Sequence, residues 1–222
     1  MNKLEILYED NHLIAVRKPA GELTQGDISG NRSLMDRVKS FIKERDKKPG
    51  NVFLGLLHRL DRPVEGIVLF AKTSKGASRI SEQFRNHKTK KTYRALIEGV
   101  MSPLSGVLKA NIQKDEEGRK ASIAQDGKEA SLEYKTIAQG KEVSLLEIDL
   151  GTGRFHQIRA QLSNDGHPIY GDIKYGSKKS LPSGAIALAA VALDFKVATG
   201  EENIHISIKE PEYWRDIIEG KY

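Results

Sequence analysis

Cysteine is absent from these 222 residues, which excludes a disulfide framework, thiolate catalysis and any thiolate-ligated metal. That absence fits a reducing compartment, and a cytoplasmic address is the expectation. The chain also lacks a long apolar run: nothing approaches the roughly 20 residues of a membrane-spanning helix, and the opening MNKLEILYED has no apolar signal core. No membrane partner is therefore expected. Tryptophan occurs once, at position 214, which leaves little for stacking on sugars. The six histidines (12, 58, 87, 156, 167, 205) show no metal-ligand spacing, so no metal site is expected. What remains is a chain that is 38% hydrophobic and 30% charged, the balance of a folded protein with a real core. No internal repeat or linker stands out, and a single domain over 1–222, acting as a monomer, is the economical reading.

The net charge of +6 is unevenly spread. Between His58 and Arg94 there are ten Lys or Arg (59, 62, 72, 75, 79, 85, 88, 90, 91, 94) against three acids (61, 65, 82), so this segment exceeds the excess of the whole chain. A positive field concentrated on one segment suits a polyanion such as a phosphate backbone. Taken alone, His87–Lys91 would read as an ordinary solvated turn.

Hydrophobic periodicity gives the elements. Leu4–Tyr8 and Leu13–Arg17 read as short strands joined at Glu9-Asp10-Asn11. Leu34, Val38, Phe41 and Ile42 recur at helical spacing behind Asn31 or Ser33 as cap, which predicts a helix over Ser33–Arg45. Gly66–Ala71 is a wholly apolar strand, and Ala77, Ile80 and Phe84 mark a second helix capped near Ser74. Strands are predicted at Lys91–Glu98, Gly106–Ala110, Ser131–Ala138, Val143–Leu150, Ala185–Phe195 and Ile204–Ile208, with Gln113–Lys128 as a loop or hairpin. Phe155, Ile158 and Leu162 place a helix after Gly153 that stops at Gly166, and leave His156, Arg159 and Ser163 on the opposite, open face. The class is α+β.

The chemistry concentrates at His58-Arg59-Leu60-Asp61-Arg62-Pro63, followed by Gly66-Ile67-Val68-Leu69-Phe70-Ala71-Lys72-Thr73. Here an aspartate stands between two arginines ahead of an apolar strand. This block resembles the signature of the RluA-type family of RNA pseudouridine synthases, as do Lys18-Pro19-Ala20-Gly21, Lys91-Thr92-Tyr93-Arg94, Gly151-Thr152-Gly153-Arg154-Phe155-His156-Gln157-Ile158-Arg159 and Gly166-His167-Pro168-Ile169-Tyr170-Gly171-Asp172. The resemblance runs from about residue 4 to about residue 210. It implies the pseudouridine synthase fold, a mixed and mainly antiparallel sheet flanked by helices around a central basic cleft. It implies also an isomerase that needs no cofactor and acts on ribosomal or transfer RNA, here without a separate N-terminal RNA-binding module.

From the same resemblance, Asp61 is the catalytic aspartate, Arg159 the arginine that pairs with it, and Tyr93 the active-site tyrosine. Arg59 would fill the stack vacated by a flipped-out uridine. His58, Arg62, Lys91, Arg154 and His156 complete the substrate-binding set. The Gly151–Arg154 turn before a helix reads as a backbone phosphate site; it is no dinucleotide loop, because position 156 is histidine where a third glycine would stand. Without the motif, plain structural roles would be favoured: a surface pair for Asp61, core packing for Tyr93, an exposed helix arginine for Arg159. The chain departs from the family pattern at Arg17, at Val64-Glu65 and near Leu188-Ala189. Glu65 places a second carboxylate four residues from Asp61, expected to face solvent. A non-catalytic RNA-binding protein on the same fold is the alternative, and a glycoside hydrolase using Asp61 and Glu65 is disfavoured by the basic field.

Overall fold

The computed structural model describes residues 3–28, 30–115, 117 and 119–222. In chain order its elements are β1 (Ile6–Glu9), β2 (Leu13–Lys18), α1 (Leu34–Arg45), β3 (Gly55–Leu56), β4 (Glu65–Ala71), α2 (Ser74–Arg85), β5 (Lys90–Glu98), β6 (Ser105–Lys114), β7 (Ala121–Ile123), β8 (Lys128–Gln139), β9 (Val143–Leu150), α3 (Gln157–Asn164), β10 (Leu188–Lys196), β11 (Asn203–Ser207) and α4 (Tyr213–Ile218), with 3₁₀ turns at Ile173–Tyr175 and Pro182–Gly184. The chain gathers into two compact units, one of residues 1–90 and 192–208, the other of 91–191 and 209–222. Among the described residues no helix is long and apolar enough to cross a membrane.

In the first unit β2 pairs antiparallel with β1 on one side and β4 on the other, and β10 pairs antiparallel with β11. The β2–β4 register sets Arg17 opposite Ile67 and Lys18 opposite Gly66. Alternate residues then build the core: Leu13, Ala15, Ile67, Leu69, Ala71, Leu193, Phe195 and Ile206 meet Ile80 of α2. Tyr8 packs edge-on against Phe195, ring centroids 5.8 Å apart. Both helices start on side-chain caps. Ser33 and Asp36 form a capping box at α1, and the α2 cap is Thr73, one residue before the expected Ser74, accepting from the Gly76 amide at 3.1 Å.

The second unit is an antiparallel run of β5, β9, β8, β6 and β7. The strand expected at Gly106–Ala110 runs on to Lys114, and the stretch expected as loop or hairpin contributes β7 to it. Ile112, Ala121 and Ala130 of this sheet pack on Ala160 of α3 and on Tyr175, with Phe155 at the margin.

The predicted start of α3, just after Gly153, is corrected by three residues. His156 takes a left-handed conformation (φ 51°), and the helix begins only at Gln157. The division into a packed and an open face also fails, because every residue from Gln157 to Leu162 is buried, Arg159 included. A helix covered on several sides carries little of the 3.6-residue alternation on which such a division rests.

Candidate functional site

Residues 57–64, which carry Asp61, belong to no strand or helix, so other groups must hold them. At the near end, His58 Nε2 accepts the Leu69 N–H of β4 at 3.0 Å, and the ring lies tilted against Phe84 at 5.2 Å. A ring nitrogen that accepts is unprotonated, so this contact fixes the neutral imidazole with its proton on Nδ1. His58, expected to bind substrate, thus has one nitrogen committed to the protein backbone. At the far end the Asp61 carbonyl accepts the Val64 N–H at 3.0 Å, and the Arg62 carbonyl accepts the Gly21 N–H at 2.7 Å. Arg62 returns a bond from Nε to the Gly21 carbonyl at 3.0 Å, while its side chain stays on the surface with that of Arg59.

Lys18 was noted in the sequence only as part of Lys-Pro-Ala-Gly, yet it is fully buried. Its ammonium donates to the carbonyls of Pro19 at 3.1 Å, Glu22 at 2.7 Å and Arg62 at 3.1 Å, joining the turn after β2 to the residue after Asp61. Burial lowers its pKa to about 8, and the negative charges of Glu22, Asp61 and Glu65 oppose that fall. The unfolded chain, with an ordinary lysine near 10.4, binds more protons than the folded one between these values. Stability contributed by this group therefore rises with pH from about 8 upward, by at most about 3 kcal/mol. Urea unfolding of the wild type and Lys18→Met at pH 7.5 and 9.5 should show the wild type gaining on the variant; a gap independent of pH would contradict the assignment.

Glu65 was expected to face solvent and does not. Its side chain is only 17% exposed, and its carboxylate lies 3.2 Å from Arg17 Nη2. The β2–β4 register explains the contact: Arg17 stands opposite Ile67, so Glu65 is its diagonal neighbour on the same face. Two departures from the family pattern, Arg17 and Glu65, are one ion pair.

In the second unit, Tyr93 lies on β5 opposite Ile148 and is 9% exposed. Two residues earlier, burial pulls the Lys91 pKa down, and its Nζ stands 3.5 Å from the place a Cβ would take on Gly153. Lys91 and the Gly151–Arg154 turn are therefore neighbours. The turn itself is wound on Gln157, which is buried: its Oε1 accepts the Thr152 hydroxyl at 2.7 Å and the Arg154 N–H at 3.0 Å, and its amide donates to the Ser131 carbonyl at 3.0 Å. The Gly151 and Thr152 amides also donate to Ser131 O, at 3.1 and 3.3 Å. A Cβ on Gly151 would meet Ser131 Oγ at 2.7 Å and the Ser131 carbonyl oxygen at 3.1 Å. Three N–H groups of the expected phosphate cradle are thus spent on the protein. The Arg154 side chain is exposed, with Nε on the Glu129 carbonyl at 2.9 Å.

Arg159 is held from one edge and one face. Nε and Nη2 donate to the two oxygens of Asp172 at 2.7 and 2.9 Å, and the guanidinium lies 4.8 Å above the Tyr175 ring. The Tyr175 hydroxyl accepts the Ala121 N–H at 2.7 Å and is 2.8 Å from His156 Nδ1, which stacks on Phe155 at 3.8 Å. Asp172, last residue of a noted block, and Tyr175, unremarked in the sequence, thus organise two of the expected site residues. Spacing could not show this, because 13 residues separate Arg159 from Asp172. Among the described residues no three His, Asp or Glu gather as a metal site would need.

Comparison with known proteins gives this geometry its setting. Residues 12–164 match the family described as RNA pseudouridylate synthase, taking in segments of both units. The chain is similar to tRNA pseudouridine synthase C of Vibrio parahaemolyticus, 36% identical over 194 residues that cover 80% of this chain and 75% of that one. It is similar also to ribosomal large subunit pseudouridine synthase D of Zymomonas mobilis, 35% identical over 182 residues, 79% of this chain and 57% of that one. In fold it resembles human RNA pseudouridylate synthase domain containing 4, with a TM-score of 0.78 at 23% identity over 95% of this chain and 90% of that one.

Proposed function

The chain belongs to the RNA pseudouridylate synthase family, RluA type, and on that premise we propose that Asp61 carries the isomerisation of uridine to pseudouridine within folded ribosomal or transfer RNA. The reaction breaks the C1′–N1 bond, turns the base and forms C1′–C5; C5 loses a proton and N1 takes one up, so atoms and electrons balance without an external reagent. A carboxylate can serve as nucleophile or as base in that sequence. The observation that carries the reading is the position of Asp61, half-buried on a segment tied to its surroundings through His58 and Arg62. The target uridine must leave its stack, at a cost of a few kcal/mol, and the exposed planar guanidinium of Arg59 suits the gap. Tyr93 offers a ring to the base, and Arg159 a cation held rigid by Asp172. Exposed Arg62 and Arg154, with His58, Lys91 and His156 less exposed, complete the proposed substrate-binding residues. Glu65, paired with Arg17, gives no reason to read the protein as a disabled enzyme.

Backbone binding is assigned to the basic segment, where Lys88 and Lys90 are exposed. RNA affinity should fall with salt at a log–log slope of roughly −0.7 to −0.9 per phosphate neutralised. Changing Lys88 and Lys90 to Glu should flatten that slope by about two phosphates, measured by filter binding from 50 to 300 mM salt, on the order of the screening range. An unchanged slope would place the RNA elsewhere.

A further inference from the structure

We infer that Thr24 is the positioning residue that sets the direction of Asp61, an inference that rests on the role proposed for Asp61. Its hydroxyl donates to the Leu60 carbonyl at 2.8 Å and accepts the Leu60 N–H at 3.1 Å. One side-chain atom thereby satisfies both backbone groups of the residue immediately before the aspartate, as a neighbouring strand would. Leu60 itself belongs to no strand, since β3 ends at Leu56 and β4 begins at Glu65. Thr24 and Leu60 are both buried, at 4% and 7% exposure, so water cannot replace the hydroxyl.

Thr24 is itself braced. Its carbonyl accepts the Met35 N–H at 3.1 Å, and that of Leu23 accepts the Leu34 N–H at 2.8 Å, so the first turn of α1 anchors the segment. The capping box at Ser33 and Asp36 fixes that turn in place. A line of direct bonds thus leads from α1 through Thr24 to Leu60, next to Asp61. Thr24 lies well outside the His58–Thr73 block and touches no charged group in these bonds. It acts through Leu60, by orienting backbone.

The test is Thr24→Val against Thr24→Ser, on a folded RNA fragment that the wild type converts. Valine keeps the shape and removes both bonds; serine keeps both. Thr24→Val should lower kcat on the order of 10- to 100-fold with KM nearly unchanged, as for a misdirected catalytic group, and Thr24→Ser should recover most of it. Amide exchange at Leu60, read on the free protein, should quicken in the valine variant alone. Valine with wild-type kcat and wild-type exchange would overturn the inference, as would equal losses in the two variants. Should Asp61→Asn remain active in the same assay, the role proposed for Asp61 fails instead, and the exchange measurement still reports on the Thr24–Leu60 bonds.

Discussion

Asp61→Asn is expected to abolish pseudouridine formation, by at least about 10³-fold, while RNA affinity stays within about twofold of the wild type. The carboxamide has the same shape and can neither attack as an anion nor take a proton, so the chemical step loses its agent. Phosphate contacts are proposed for other side chains, so affinity should be little changed. The fold should tolerate the change, because the segment is held through backbone groups of residues 60–62 and the ring of His58. One cost is foreseen: Asp61 is among the charges that hold the proton on Lys18, so the variant should carry a Lys18 pKa somewhat lower still. Pseudouridine mapped by carbodiimide adducts, beside a binding isotherm on the same RNA, checks both halves. Turnover near the wild-type rate would remove Asp61 from the chemistry.

How much of this was legible beforehand depended on the kind of interaction. β4 could be read because a fully buried strand is a continuous apolar run, and α1 because its stripe and its cap agree. The Asp61 segment was found from its motif. What held it was not visible, since Lys18, Thr24 and Gly21 act on backbone atoms, and a carbonyl acceptor leaves no mark on residue identity. Glu65 was misjudged for a related reason. The side-chain period of a strand is 2, but which residue lies diagonally across depends on register, and register with a strand some 50 residues earlier is a tertiary fact. The second unit shows the opposite error. Arg159 was placed on an open helix face because Phe155, Ile158 and Leu162 alone defined the packed stripe, whereas the helix is buried all round and Arg159 meets Asp172, a partner 13 residues on.

That partner supports the second large effect. Arg159 and Asp172 are 4% and 1% exposed, so each charge has been taken out of water and is compensated by the other. Asp172→Ala should therefore cost about 3–5 kcal/mol of stability, since it removes the carboxylate that takes two bonds from a buried guanidinium. Replacing both, as Arg159→Met with Asp172→Leu, removes the two desolvation penalties together and should recover most of that loss. If the pair serves only the fold, the double variant should also recover activity. We expect that it will not: the role proposed for Arg159 needs the planar cation, which two bonds to Asp172 and the Tyr175 ring hold in place, and methionine supplies neither charge nor donors. Denaturant midpoints and single-turnover rates on the three proteins separate the outcomes. A stable double variant that converts uridine at the wild-type rate would confine Arg159 and Asp172 to the core of the second unit.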